Sequence, residues 1–280
     1  IMIVGAAESP TCIAVDDSTV CFESADDAWG TSSSNAEQIL SKRLGKGFRI
    51  AAIGPAWEKL VRYATVSHDG RHAGRGGLGA GMGSKMLKAI AVRGTQQTPF
   101  AFPDELISYS RDVSKKSFGP ATEKYRELGT VSNLLTFNRL GTLPTHNFQA
   151  GSFDKAEQLS PEVMSQTHER TRKSCAACTI GCEHIFHSTD AAGSDDATGV
   201  RVEYENLFAL GPLCGVSESN VVLEASGLCD ELGLDTISAG GSIAFAMECV
   251  ERGLLDEPEL NFGNGDALLA TLRKIGAREG

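Results

Sequence analysis

The sequence predicts an α+β fold, with a β-rich N-terminal segment over residues 1–99 and a mainly helical domain over residues 100–280. Three observations predict it. Short apolar runs broken by polar turns fill the first part, as in a meander of strands. From Pro103 onward, apolar residues recur at three- and four-residue spacing, the period of a helix face. Between the two, Thr95–Pro103 follows neither pattern.

In chain order, Ile1–Ala6, Thr11–Val15 and Thr19–Phe22 read as short strands. Ser34–Gly45 reads as a helix, with polar cap candidates at its start and a glycine at its end. Phe48–Ile53 and Leu60–Val66 are strand-like and lead into a glycine-rich loop, Arg71–Lys85. Met86–Val92 leaves that loop as a buried strand. Asp104–Ser117, Pro120–Leu140 and Pro161–Lys173 are predicted helices, with residues 141–148 as a connector. Ser188–Gly199 is polar and glycine-bearing, so an exposed loop is expected. Glu203–Leu210, Glu218–Leu232, Thr236–Arg252 and Gly265–Arg278 complete the helices.

Composition narrows the class. With 280 residues, 41% hydrophobic and 22% charged, the chain has enough apolar sequence for a large core. A net charge of −10 argues against a nucleic-acid partner, which needs a basic face. No run of about eighteen apolar residues offers a membrane span. A cytoplasmic setting is expected. The first residues, Ile1–Val4, start inside a strand-like run and the last stop as a helix is ending, so both ends read as cut.

Three stretches carry chemistry. Arg71–Lys85 holds six glycines with two arginines, a histidine and a lysine, so its backbone N–H groups and positive side chains suit an anionic ligand. It matches neither common nucleotide-phosphate glycine pattern, and a plain turn between strands weighs equally. Cys175, Cys178 and Cys182 form C-x2-C-x3-C after a basic stretch, Arg170–Lys173. Three thiols this close can converge on one metal centre, either zinc or an iron–sulfur cluster. Zinc would take His184 or His187 as its fourth ligand; a 4Fe–4S cluster wants a fourth thiolate, and none is nearby. Cys12, Cys21, Cys214, Cys229 and Cys249 are scattered and read mostly as small buried hydrophobes.

The third stretch is acidic. Glu203 and Glu205 precede an apolar run, where partial burial would raise a carboxyl pKa toward acid/base work; an exposed helix-start pair is the plainer reading. Asp230 and Asp235 flank the Gly233 turn between two helices. Asp235 suits an N-cap with Ser238 three residues on, whereas Asp230 is harder to explain as a cap. Two carboxylates around one turn can also accept several N–H donors from a ligand ring such as a pterin.

Together these stretches resemble the tungsten-dependent aldehyde ferredoxin oxidoreductase family. The resemblance rests on Gly74–Ile90, the cysteine spacing, Glu203-Tyr204-Glu205, and Cys229–Ser238 followed by Ile243–Glu248. It implies a tungsten, or less often molybdenum, held by two pyranopterins whose phosphates are bridged by magnesium, with a 4Fe–4S cluster close by. By that resemblance Arg71, His72 (through its backbone), Gly74 and Arg75 line the pterin–phosphate site. Asp230, Leu234 and Asp235 hold the pterin, Cys175, Cys178 and Cys182 bind the cluster, and Glu205 is the active-site carboxylate.

The implied reaction is two-electron oxidation of an aldehyde to a carboxylic acid with water as oxygen source, passing electrons to ferredoxin or a similar acceptor. A homo-oligomer is compatible with it. Family members run to roughly double this length, so the missing parts would supply a fourth cluster cysteine, an active-site histidine and further pterin contacts. The chain alone is expected to be inactive. Glu224 matches a glutamate that bridges subunits through a metal in some members, but no histidine accompanies it near Leu268–Leu269, so that metal is not expected. Rival readings are the same scaffold with other chemistry, as in a benzoyl-coenzyme A reductase tungsten subunit or a carboxylate reductase, and a non-catalytic zinc-binding module.

Overall fold

The computed structural model describes residues 1–187 and 199–279. The expected loop Ser188–Gly199 therefore lies, apart from Gly199, outside the described residues. A strand-rich sheet is followed by mainly helical sequence, as the α+β expectation required. Two compact units emerge: Ile1–Gln97 with Leu228–Ala239 and Ala270–Gly280, and Thr98–Gly227 with Gly240–Leu269.

The first unit is built on a six-stranded sheet. In chain order it contains β1 (Thr11–Asp16), β2 (Thr19–Ser24), α1 (Ser33–Leu44), β3 (Arg49–Ala52), α2 (Pro55–Glu58), β4 (Val66–His68), β5 (Arg71–Ala73), α3 (Leu78–Gly83) and β6 (Leu87–Arg93). The strand order is β2-β1-β6-β3-β4-β5, with β1 and β6 parallel and the other pairs antiparallel. Helix α1 is capped by the Ser32 hydroxyl, which accepts from the Asn35 N–H at 3.2 Å, and it stops at Gly45 with φ +88°. Its Ala36 and Leu40 share one core with Cys12, Ala14, Ile50, Ala52, Ala89 and Ala91 of β1, β3 and β6. Small residues dominate that core and let helix and sheet approach closely.

One buried ion pair sits under this sheet. Lys88, fully buried on β6, places its Nζ 2.7 Å from Glu58 Oε1 and donates to the Thr31 carbonyl at 2.9 Å. Glu58 also accepts from the Gly30 N–H, so the loop before α1, α2 and β6 are tied together. Burial pushes the Lys88 pKa down and the Glu58 partner opposes it. Lys88→Met is expected to cost about 3–5 kcal/mol, because it strands a buried carboxylate, with Lys88→Met/Glu58→Gln recovering part of the loss. Urea unfolding of the three proteins checks this.

The second unit is mainly helical. It opens with α4 (Pro103–Ser117), α5 (Glu123–Leu128), α6 (Asn133–Arg139) and α7 (Pro161–Thr167). A three-stranded antiparallel sheet follows: β7 (Glu169–Lys173), β8 (Glu183–His187) and β9 (Val200–Val202). Then comes α8 (Tyr204–Leu210). Three longer helices, α9 (Ser219–Leu232), α10 (Thr236–Glu251) and α11 (Gly265–Ala277), contribute residues to both units. Gly240 of α10 lies against α8, where an added Cβ would stand 2.2 Å from the Ala209 carbonyl oxygen.

Four expectations are corrected. Ile1–Ala6 is irregular and largely exposed, because it finds no strand partner among the described residues. Leu60–Val66 is mostly turn: Leu60 takes φ +58° after α2, and the strand starts only at Val66. Pro120–Leu140 is not one helix, since Gly129 at φ +68° separates α5 from α6. Pro161–Lys173 turns from helix to strand at His168, whose extended backbone starts the run that pairs with β8.

Candidate functional site

The glycine-rich stretch is not a single loop. It is a strand (β5), a tight turn and a short helix (α3), and its glycines fall into two sets. Gly77, Gly79 and Gly83 are required by packing. A Cβ on Gly77 would lie 2.1 Å from the Arg62 carbonyl oxygen, one on Gly79 1.9 Å from the Trp57 ring, and one on Gly83 2.3 Å from the Trp57 carbonyl oxygen. Gly74, Gly76 and Gly81 have open space where a side chain would be. Trp57, fully buried on α2, is thus the platform for α3. Its indole Nε1 is buried without a hydrogen-bond partner beside Gly233, whose added Cβ would approach it to 2.9 Å.

The acidic turn docks onto the same unit. Gly233 (φ +75°) reverses the chain between α9 and α10. Its carbonyl accepts from the Thr65 N–H at 2.8 Å, the Asp235 N–H donates to the Tyr63 carbonyl at 2.9 Å, and Ala64 bridges to Leu234. Leu234 is buried, so it faces the core with its side chain and this turn with its backbone. Asp235 caps α10 as its sequence context predicted: one carboxylate oxygen accepts from the Ile237 N–H at 3.2 Å and the other from the Ser238 hydroxyl. Arg75 Nε stands 4.0 Å from Asp235 Oδ2, and the Arg75 side chain remains 65% exposed. His72 Nε2 lies 3.1 Å from Asp230 Oδ1.

The structure therefore brings together His72, Arg75, Asp230, Leu234 and Asp235, with Gly74 between the two basic residues. Arg71 sits on β5 next to His72. Sequence reasoning missed Trp57, Ser67 and the side-chain role of His72. Only the Ser67–His72 pairing was legible: Asp69-Gly70 is a hairpin dipeptide, both residues take positive φ, and the resulting register sets Ser67 opposite His72.

In the second unit, Cys175, Cys178 and Cys182 occupy the connection between β7 and β8. Ala177 (φ +57°) and Gly181 (φ +61°) bend it, and the Cys178 N–H donates to the Cys175 carbonyl at 3.0 Å. The Cys182 thiol pKa is raised, first by burial and then by Glu203 and the two neighbouring thiols. Among the described residues, no three His, Cys, Asp or Glu side chains are closed onto a common point for a metal. The rings weighed for a zinc set bond elsewhere: His184 Nε2 to the Arg126 carbonyl at 3.2 Å and His187 Nε2 to the Thr171 hydroxyl at 3.2 Å. Of the other five cysteines, Cys12, Cys214 and Cys229 are buried, as expected of small hydrophobes.

Glu203 and Glu205 divide their labour. Glu203 is the N-cap of α8 in a capping box with Asn206, whose Oδ1 accepts from the Glu203 N–H at 3.3 Å. Glu205, in the first turn of the helix, is exposed, so the partial burial weighed for it is absent from this unit. Its charge still reaches Tyr204, whose hydroxyl pKa is pushed up to about 12 by burial and then by Glu205.

The class of scaffold is set by comparison with solved structures. The active-site complex BamBC of benzoyl coenzyme A reductase superposes with a TM-score of 0.77 at 23% identity, over 99% of this chain and 44% of that one. That likeness establishes the fold. The chain belongs to the aldehyde ferredoxin oxidoreductase family: residues 1–94 match its N-terminal domain and residues 107–280 its domains 2 and 3. The tungsten-containing aldehyde ferredoxin oxidoreductase of Pyrococcus furiosus is 38% identical over the whole chain, and that of Thermococcus kodakarensis 37%. An aliphatic sulfonate oxidoreductase WOR-like subunit of P. furiosus is 28% identical. The chain spans about half the length, 47%, of the first two relatives.

Proposed function

We propose that this chain is the pterin- and cluster-binding half of a tungsten, or molybdenum, bispyranopterin oxidoreductase that converts an aldehyde to a carboxylic acid and delivers electrons to ferredoxin. The observation that carries the reading is the meeting of a positive, amide-rich turn with a two-carboxylate turn, Arg75 facing Asp235 and His72 facing Asp230. Aldehyde chemistry is favoured over sulfonate chemistry by the closer identity to the aldehyde enzymes.

The residues fit the cofactor. Open space at Gly74 and Gly76 leaves backbone N–H groups approachable, and the exposed Arg75 guanidinium offers a forked donor to phosphate oxygens. Arg71 adds a second positive charge on β5, and the His72 backbone continues the edge. A pterin ring offers N–H donors. Asp235 spends one acceptor position of each oxygen on its cap and keeps lone pairs for a ligand, and Asp230 stands beside it across Gly233. Leu234 would contribute its backbone.

The thiol set supplies three of the four thiolates that a 4Fe–4S cluster takes, on a turn flanked by Arg170, Arg172 and Lys173. When bound, the tungsten pterin supplies two-electron redox and oxygen-transfer chemistry, and the cluster carries electrons out singly. Aldehyde plus water gives carboxylic acid, two protons and two electrons. Glu205 is assigned the proton from water, a task its exposed carboxylate at the start of α8 leaves it free to perform.

Full-length protein carrying this chain, produced with tungstate in a pyranopterin-making host, tests the reading. Tungsten, pterin, iron and sulfide with aldehyde-dependent viologen reduction are the expected result. Zinc alone would overturn it in favour of a binding module.

A further inference from the structure

We infer that the His72 side chain is a positioning residue for the cofactor site, fixing the Asp230 carboxylate through a Ser67–His72–Asp230 relay. The inference rests on the pterin reading above and goes beyond the backbone role assigned there to His72.

Ser67 on β4 and His72 on β5 are register partners across the Asp69-Gly70 hairpin, so both side chains leave the same face. The Ser67 hydroxyl lies 2.7 Å from His72 Nδ1, and His72 Nε2 lies 3.1 Å from Asp230 Oδ1. Ser67 is buried, and the His72 side chain is only 21% exposed. Chemistry assigns the tautomer. A carboxylate accepts only, so Nε2 must carry the proton it offers to Asp230; in the neutral ring Nδ1 then accepts from the Ser67 hydroxyl. Every polar atom of the imidazole is thereby used without requiring it to be charged.

The consequence concerns Asp230. It belongs to the last turn of α9, and the two backbone ties of the following turn, Thr65 to Gly233 and Asp235 to Tyr63, leave its side chain untouched. The imidazole holds that carboxylate at a fixed place beside β5, next to Gly74 and Arg75. A ring held from both nitrogens cannot rotate without breaking a bond, so one oxygen of Asp230 is occupied and the other is left directed for a ligand N–H donor. The acidic turn is thus tied to β5 by a side chain, as it is tied to Tyr63–Thr65 by backbone.

The test compares wild type with His72→Ala, His72→Gln and Ser67→Ala in cofactor-loaded protein, reading the rate at which pterin is lost during repeated gel filtration. His72→Ala is expected to lose pterin about tenfold faster, the range of a hydrogen bond to a charged group. His72→Gln, which still offers an N–H to Asp230, is expected to lie between the two. Ser67→Ala frees the ring to turn and should accelerate loss by a smaller factor. Equal retention in wild type, His72→Ala and His72→Gln would overturn the inference, and His72→Gln decides alone if the alanine variant does not fold. Wild-type protein with no pterin at all would instead overturn the proposed function, and this inference with it.

Discussion

In full-length protein carrying this chain, replacing Glu205 with glutamine is expected to cut aldehyde turnover about a hundredfold or more, within the range of general acid–base catalysis, while tungsten, pterin and iron stay bound. The expectation is sharp because the substitution touches little else. Glutamine keeps the length and planarity of the side chain. The cap of α8 is formed by Glu203 and Asn206, so the helix start survives. What the fold loses is one negative charge in a first turn, about 0.3–1 kcal/mol of macrodipole stabilisation. Glu203→Gln supplies the contrast, since it weakens the cap and should shift the unfolding midpoint more than the turnover number. Steady-state kinetics with viologen as acceptor, paired with thermal unfolding, separate the two glutamates. Undiminished turnover in fully loaded Glu205→Gln protein would remove Glu205 from the chemistry.

How far the sequence could be read depended on whether the determinant was local. The α1 helix, β1, β2, β3 and β6 follow from alternation and caps, and Asp235 is recognisable as a cap from Ser238 alone. The strand β7 is not, because Glu169-Arg170-Thr171-Arg172-Lys173 has no apolar alternation and becomes a strand only by pairing with β8. The break at Gly129 was equally hidden. Gly129 takes φ +68°, and a Cβ there would meet the Cys182 carbonyl at 3.0 Å and the His184 ring at 3.3 Å. For the candidate site, residue types and spacing singled out the glycine turn, the thiols and the acidic turn. That His72 faces Asp230, and that Trp57 supports α3, are facts of tertiary packing with no spacing rule behind them.

The glycines of the central stretch separate folding from ligand binding in one experiment. Gly79→Ala is expected to destabilise the protein by about 1–3 kcal/mol or more, because the new methyl must displace the Trp57 ring, which is fully buried and has no room to retreat. Trp57→Leu should relieve part of that cost in the double variant while destabilising the otherwise unchanged protein, giving a coupling that chemical denaturation measures directly. Gly74→Ala is the counterpart. Nothing lies within 4 Å of its added Cβ, so the free protein has no steric reason to prefer glycine there. An unfolding midpoint within about 0.5 kcal/mol of wild type is expected. If Gly74 is open because a phosphate-bearing ligand must approach its backbone, the same methyl should lower bound pterin severalfold while stability holds. Retention at the wild-type level in Gly74→Ala would move the ligand away from this turn, and loss of pterin matched by loss of stability would return Gly74 to a purely structural role.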